Sequence, residues 1–272
     1  MDEIISSSQN SKVKYLNKLY RSRTRRKEGV FVLEGKRLIE AALAGGADFK
    51  RVFLTPAFFK AAENKELIFK LENKAEIVLL KQELLEDAAS TVNPQGIIAV
   101  VNESQFESSH FFADKKKIML LDRIQDPGNM GTIIRTAAAA GFDGIIALKG
   151  SVDIYNQKVI RATMGGIFTL PIWQKAKKEE FIRAAEDVAA DFELTAADVE
   201  AEEYHFEHKY QQKVILMIGN EANGLDEDLL GIADSSVKIP LRGAIESLNA
   251  AVAAAVISFE ILSQEIEKEE LL

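Results

Sequence analysis

The stretch LLDRIQDPGNMGTIIRTAAAAGFDGIIAL, Leu120 to Leu148, decides how the rest of the chain is read. It holds an apolar run, a turn with proline and glycine, an alanine-rich segment and a second apolar run. That order reads as strand, loop, helix, strand. Strands that are apolar throughout are buried on both faces, as in a parallel sheet. The turn follows the carboxyl end of the first strand, which is where open α/β sheets bind ligands.

Two familiar glycine loops do not fit this turn. A phosphate-binding loop needs GxxxxGK followed by Ser or Thr, and nothing in the chain matches. A dinucleotide fingerprint needs GxGxxG and an acid at the end of the next strand to hold a ribose. Here DPGNMG offers only Gly128 and Gly131, and Lys149 follows the second strand. What remains is N-x-G-x-x-x-R: Asn129, Gly131 and Arg135. Gly131 and Arg135 lie four apart and so share a helix face, and Asn129 reads as the helix N-cap. Alone, the pattern serves equally as a turn at Pro127–Gly128, a cap at Asn129 and a surface ion pair at Arg135.

Two later segments repeat the arrangement. VILMIGNEANGLDEDLL carries a strand into Gly219, Glu221 and Gly224. VKIPLRGAIESLNAAVAAAVISFE carries a strand into Pro240 and Gly243, then a helix entered through Ser247 and Asn249. Three strand ends thus carry glycine-rich loops. Further strands are expected near Thr169–Ile172 and Glu193–Thr195, and helices near Thr132–Ala140, Ile154–Met164, Lys178–Ala190, Glu227–Leu230 and Ser247–Gln264.

Upstream, Ser6–Lys27 reads as one helix, with Val13, Leu16, Leu19 and Tyr20 near helical spacing. Then VFVLE, RVFLT, EIVLL and GIIAVV read as strands alternating with the helices GKRLIEAALAGG, AFFKAAENKELIFKLE and KQELLEDAAS. Alternation of this kind implies a mostly parallel α/β sheet. The polar stretch Asn102–Lys117 reads as a linker. The expectation is two α/β domains, residues 1–106 and 107–272.

The chain of 272 residues carries 34 Lys and Arg against 42 Asp and Glu, a net charge of -8. That balance argues against a dedicated polyanion binder. Yet ten basic and only two acidic residues lie between Lys12 and Arg37, and local clusters decide where a nucleic acid docks. Lys12, Lys14, Arg21, Arg23, Arg25 and Arg26 are the candidate phosphate contacts. Tyr15 and Tyr20 are candidates either for base stacking or for core packing. There is no cysteine, which excludes disulfides, thiolate metal sites and cysteine nucleophiles and fits a reducing cytoplasm. No apolar leader or membrane-length run is visible. His205 and His208 lie three apart without further ligands nearby, so no metal is expected.

The three glycine segments together resemble the SpoU (TrmH-like) family of RNA ribose 2′-O-methyltransferases, in the SPOUT superfamily. The resemblance rests on Asn129, Gly131 and Arg135, on GNEANG from Gly219 to Gly224, and on IPLRGAIESLN from Ile239 to Asn249. SKVKYLNKLYRSRTRRKEGVFVLEGKRLIEAAL and TVNPQGIIAVV resemble the family's substrate-binding domain, a small α/β fold akin to certain RNA-binding ribosomal proteins. Two positions depart: Ala250 and Ala251 follow Asn249 where relatives often have Val-Ser, and Gln157 stands where many have proline.

The resemblance implies a parallel sheet tied in a trefoil knot, which general topology rules would not anticipate. It implies S-adenosyl-methionine held at Gly219, Ile239 and Leu248, with Ile218, Asn220, Gly224 and Pro240 beside them. It implies Arg135 as the central catalytic residue, Asn129, Ser247, Asn249 and Glu221 as polar site residues, and Arg161 as an RNA contact. The alanine-rich last helix becomes part of a homodimer interface. The expected substrate is ribosomal RNA; transfer RNA, or a silent RNA-binding or ribosome-assembly role, is the alternative. A ribose hydroxyl is a poor nucleophile and needs positioning and help in losing its proton. Arginine stays protonated in nearly all settings. Arg135 is therefore better suited to gripping a phosphate and stabilising the developing alkoxide than to acting as a base.

Overall fold

A computed structural model describes residues 4–104, 111–188 and 191–270. The chain divides into two compact units, residues 1–105 and 106–272. The expected boundary at 106/107, part of the expected linker and the end of the helix expected to reach 190 lie outside the described residues.

In the first unit the expected N-terminal helix is two helices, α1 (Ser11–Leu19) and α2 (Ser22–Glu28). Asn10 caps α1 by accepting from the Lys12 N–H, and Val13, Leu16 and Leu19 form its buried stripe. The break has a visible cause. Arg25 folds back from α2 and donates to the carbonyls of Leu19 and Tyr20 at 3.2 and 3.0 Å, satisfying the open end of α1. It is only 4% exposed. Arg25 is thus a structural cap and not a phosphate contact.

Strand β1 (Val30–Glu34), helix α3 (Lys36–Ala44) and strand β2 (Phe49–Leu54) follow. The helix expected next is interrupted: α4 (Pro56–Lys60) and α5 (Lys65–Glu72) are separated by a 3₁₀ turn at Ala62–Asn64. The buried Asn64 side chain donates to the Phe58 carbonyl at 3.0 Å and fixes the break. Strand β3 (Glu76–Leu79), helix α6 (Gln82–Ala88) and strand β4 (Ile97–Asn102) complete the unit. The sheet order is β1-β4-β2-β3. β4 is antiparallel to both neighbours, and only β2 and β3 run parallel. The sheet is therefore mixed, not mostly parallel. β4 is buried along nearly its whole length, so its apolar run signals burial on two faces but not direction.

Glu34, at the end of β1, accepts from the Tyr20 hydroxyl and from the N–H and hydroxyl groups of Ser90 and Thr91. Burial opposes its charge, but these hydrogen bonds outweigh burial and hold the carboxyl below the usual carboxylate range.

The second unit is a seven-stranded parallel sheet flanked by helices. Its elements are β5 (Lys117–Leu121), α7 (Pro127–Ala139), β6 (Gly144–Leu148), α8 (Gln157–Ala162), β7 (Ile172–Ala176) and α9 (Lys178–Val188). β8 (Glu193–Ala197), β9 (Glu203–Tyr204), β10 (Val214–Ile218), α10 (Glu227–Gly231), β11 (Ser235–Lys238) and α11 (Ala250–Glu270) follow. The strand expected at 169–172 is shifted because a 3₁₀ turn, Gly166–Phe168, occupies the preceding residues. The two-residue β9 is too short to leave a periodic signal. Phe111, within the expected linker, is buried against Gly144 and belongs to this core.

The strand order is β7-β6-β5-β10-β8-β11-β9. Every neighbouring pair is parallel. Leu120, Ile146, Trp173, Phe181, Ile215 and Met217 pack in the core, each contributing about 1.5–3 kcal/mol by burial. Because the strands are parallel, the loops that leave β5, β10 and β11 all emerge at one edge. That edge carries the three glycine segments.

Candidate cofactor and catalytic site

A cavity of about 800 Å³ opens beyond the carboxyl ends of β8, β10 and β11. Ile218, Gly219, Asn220, Glu221 and Gly224 line it from the loop after β10; Ile239, Ser247 and Leu248 line it from the segment after β11. Ile239 and Leu248 are half-buried, so they are cavity walls and not interior core. Pro240 is exposed and does not line the cavity. Asp198, Glu200, Lys238 and Glu246 also line it; no glycine or apolar pattern marked them in the sequence.

Gly219 has a specific reason to be glycine. A Cβ there would lie 2.2 Å from the Gly224 carbonyl carbon and 2.3 Å from the Leu225 nitrogen. The backbone that approaches it is the chain's own. Asn220 and Gly224 exchange backbone hydrogen bonds of 3.0 and 2.9 Å, closing the loop, and Gly224 takes a left-handed φ of 63°.

A side-chain relay joins the three segments. The Asn129 amide donates to the Glu221 carboxylate. Asn249 donates its own amide to the Asn129 carbonyl oxygen at 2.9 Å. The Asn249 side-chain oxygen accepts from the N–H groups of Ala251 and Val252 at 2.9 and 3.3 Å, which makes it the cap of α11. Asn129 is not the cap of α7. Asp126 is, accepting from the Asn129 N–H at 2.8 Å, with Pro127 in the first turn. That frees the Asn129 side chain for the relay.

Gly131 faces α8, where a Cβ would lie 2.4 Å from the Ala162 Cβ and 2.7 Å from the Val159 carbonyl oxygen. Its smallness sets the α7–α8 distance. One turn on, Arg135 is exposed and makes no hydrogen bond or ion pair among the described residues. The surface-pair reading of Arg135 finds no partner. Ser247 is exposed at the cavity rim.

Behind the loop after β10 lie two residues that sequence reading passed over, Asp122 and Arg123. A charged pair ending an apolar run was the available signal. The hydrogen bond from Arg123 to Asp122 raises the guanidinium above its ordinary value. Lys178 donates to Asp226 at 2.6 Å and holds that carboxyl below the usual range.

The expected RNA contacts fare unevenly. Lys14, Arg21, Arg23 and Arg26 are exposed on α1, α2 and the turn between them. Lys12 is engaged with Glu76, which also binds Arg51. Tyr15 packs against the unit's core beneath Lys50 and Arg51, and Tyr20 is held by Glu34; both take the packing role. Arg161 is exposed in the last turn of α8. His208 sits between Glu193 and Glu203 at 2.6 and 2.8 Å, tying β8 to β9. Among the described residues, no group of three or more His, Cys, Asp or Glu side chains is placed to hold a metal.

Residues 116–259 match the family described as SpoU rRNA Methylase. The chain belongs to the SpoU rRNA methylase family. Residues 10–99 match a second description, the MRM3-like substrate binding domain. An uncharacterized tRNA/rRNA methyltransferase of Synechocystis is 34% identical, with 96% of this chain and 94% of that protein aligned. The Bacillus subtilis 23S rRNA (guanosine(2553)-2′-O)-methyltransferase RlmP is 31% identical over 94% of this chain and 98% of its own length. Among solved structures, the SpoU methyltransferase AviRb of Streptomyces viridochromogenes, in complex with the cofactor AdoMet, superposes with a TM-score of 0.86 at 27% identity. That superposition covers 95% of this SpoU chain and 99% of AviRb.

Proposed function

We infer that this enzyme transfers the methyl group of S-adenosyl-methionine to a ribose 2′-hydroxyl of ribosomal RNA. The observation that carries the reading is the Glu221–Asn129–Asn249 relay, which ties three distant loops together beside one cavity. It occurs in a chain aligned nearly end to end with an rRNA 2′-O-methyltransferase.

The residues present fit the cofactor. The cavity falls within the range of about 300–1,000 Å³ typical of small-molecule sites. Ile239 and Leu248 supply apolar walls for adenine, and the loop of Gly219, Asn220 and Gly224 supplies backbone polar groups. Bound there, the sulfonium supplies an electrophilic methyl carbon.

The chain's own residues must then present the ribose oxygen. Arg135, exposed and uncommitted, grips a backbone phosphate and stabilises negative charge developing on the hydroxyl oxygen as its proton passes to solvent water. Ser247, at the rim, orients the ribose. Asn129, Glu221 and Asn249 keep the loops in register so that cavity and arginine stay aligned. Lys14, Arg21, Arg23 and Arg26 give the first unit its phosphate-binding surface, so binding falls steeply with salt. Arg161 adds a contact from the second unit.

The reading extends to the trefoil knot that the family resemblance implies, in a chain whose parallel sheet superposes on AviRb. It extends to a homodimer. In support, α11 exposes Val252, Phe259 and Ile266, seven residues apart on one stripe. No described helix is long and apolar enough to cross a membrane; the lack of cysteine supports work in the cytoplasm.

Mapping ribose methylation in total RNA with and without the gene tests the function. The expected result is loss of a ribosomal RNA methylation; loss confined to transfer RNA, or no loss, refutes it.

A further inference from the structure

The loop after β10 gives the cavity Gly219, Asn220, Glu221 and Gly224, yet it belongs to no regular element. Something must hold it still for a ligand to meet a formed wall. The fastening comes from the end of β5.

Arg123 adopts a left-handed backbone with φ 54°, which L side chains avoid and which persists only where surroundings over-determine it. Here they do. The Arg123 Nε donates to Asp122 Oδ1 at 3.0 Å, and an Nη donates to Oδ2 at 2.7 Å. Sequence neighbours in extended strands point to opposite faces; the left-handed turn at Arg123 brings the two together. The Arg123 carbonyl accepts from the Asn220 amide at 2.9 Å, and its guanidinium reaches the Gly224 carbonyl at 3.4 Å. Asp122, with a side chain only 4% exposed, also accepts from the Asp226 N–H at 3.0 Å. Gly150 packs against the Arg123 stem, where a Cβ would lie 3.1 Å from Cγ. The second residue and the far end of the loop are thus pinned to this pair. Neither Asp122 nor Arg123 lines the cavity.

We propose that Asp122 and Arg123 are positioning residues for cofactor binding: a buried carboxylate and a strained arginine that hold the loop after β10 in its binding shape. The proposal rests on the reading that this cavity takes S-adenosyl-methionine. A buried carboxylate requires donors. Without the arginine, Asp122 keeps only the Asp226 N–H among these contacts. Without the carboxylate, the arginine loses what holds it in its left-handed form.

Calorimetry with S-adenosyl-methionine on the full chain tests this, using Asp122→Asn, Arg123→Gly and Arg123→Lys. Glycine accepts the backbone conformation but removes the guanidinium; lysine retains one charged donor. Asp122→Asn and Arg123→Gly weaken cofactor binding about tenfold, the scale of one lost charge-assisted hydrogen bond, and Arg123→Lys recovers part of the loss. Amide hydrogen exchange accelerates at residues 219–226 and stays unchanged in β5 and β10. If Asp122→Asn does not fold, Arg123→Gly decides alone, since its side chain is 35% exposed. Equal affinity in wild type and variants overturns the proposal. So does faster exchange throughout the sheet, which would mark general destabilisation. If the wild type itself binds no cofactor, the reading of the cavity falls and the proposal with it.

Discussion

Replacing Asn129 by Asp changes little in shape and reverses one donor in the relay. The Asn129 amide now donates to Glu221, while its carbonyl oxygen accepts from Asn249. An aspartate keeps the second bond and loses the first, setting two carboxylates against each other. A hydrogen bond to a charged group contributes about 1.5–3 kcal/mol when shielded; this one is exposed, so about 1 kcal/mol is the fairer figure. Repulsion between two unit charges about 3 Å apart adds about 1.4 kcal/mol at the dielectric constant of water. Together these give roughly 2.4 kcal/mol, or about sixtyfold. Glu221 lines the cavity, so the loss is expected in cofactor affinity, read by calorimetry. The double variant Asn129→Asp with Glu221→Gln reverses donor and acceptor along the same bond, and affinity returns to within about threefold of wild type. If Asn129→Asp binds as wild type does, or if the double variant is as weak as the sum of its singles, the relay does not hold the site.

Arg135→Ala is expected to lower methyl transfer to ribosomal RNA by about 100-fold or more, the cost of removing one charge-stabilising donor. Its cofactor affinity should stay unchanged, because Arg135 does not line the cavity; a parallel loss of affinity contradicts the assignment. Gly219→Ala forces a Cβ to 2.2 Å from the Gly224 backbone, so stability measured by denaturant should fall by about 1–3 kcal/mol and cofactor binding should weaken with it. Glu34→Gln tests the clamp in the first unit. The Glu34 carboxyl is held below its usual range, so its stabilisation is present above the ordinary carboxylate pKa and is lost as pH falls through the folded value. Wild type should exceed the variant by about 1 kcal/mol near neutrality, and the gap should close in acid. A gap that is constant with pH contradicts it.

Much of the second unit can be read from local pattern. The apolar runs GIIAL and VILMI coincide with β6 and β10 residue for residue, because a strand buried on both faces must be apolar throughout. The three glycine segments announce themselves as loops at strand ends for the same local reasons. Where pairing partners lie far apart in the chain, the pattern is silent. Nothing in IIAVV states that β4 runs antiparallel between β1 and β2.

The same division holds in the site. Motif spacing singled out an arginine one turn into a helix and polar side chains in glycine loops, and the family resemblance added their expected roles and the apolar residues expected beside the cofactor. Tertiary structure alone decided which of them meet. Arg25 looked like one more phosphate contact until the fold turned it onto the carbonyls of α1. Asn129 looked like a cap until Asp126 took that task and left its amide for Glu221. Arg123 carried no visible role until the loop after β10 closed over it. The physical reason is common to all three. Propensity and burial are properties of a residue and its near neighbours, whereas a hydrogen-bond partner is chosen by whichever distant backbone or side chain the packed sheet brings within about 3 Å.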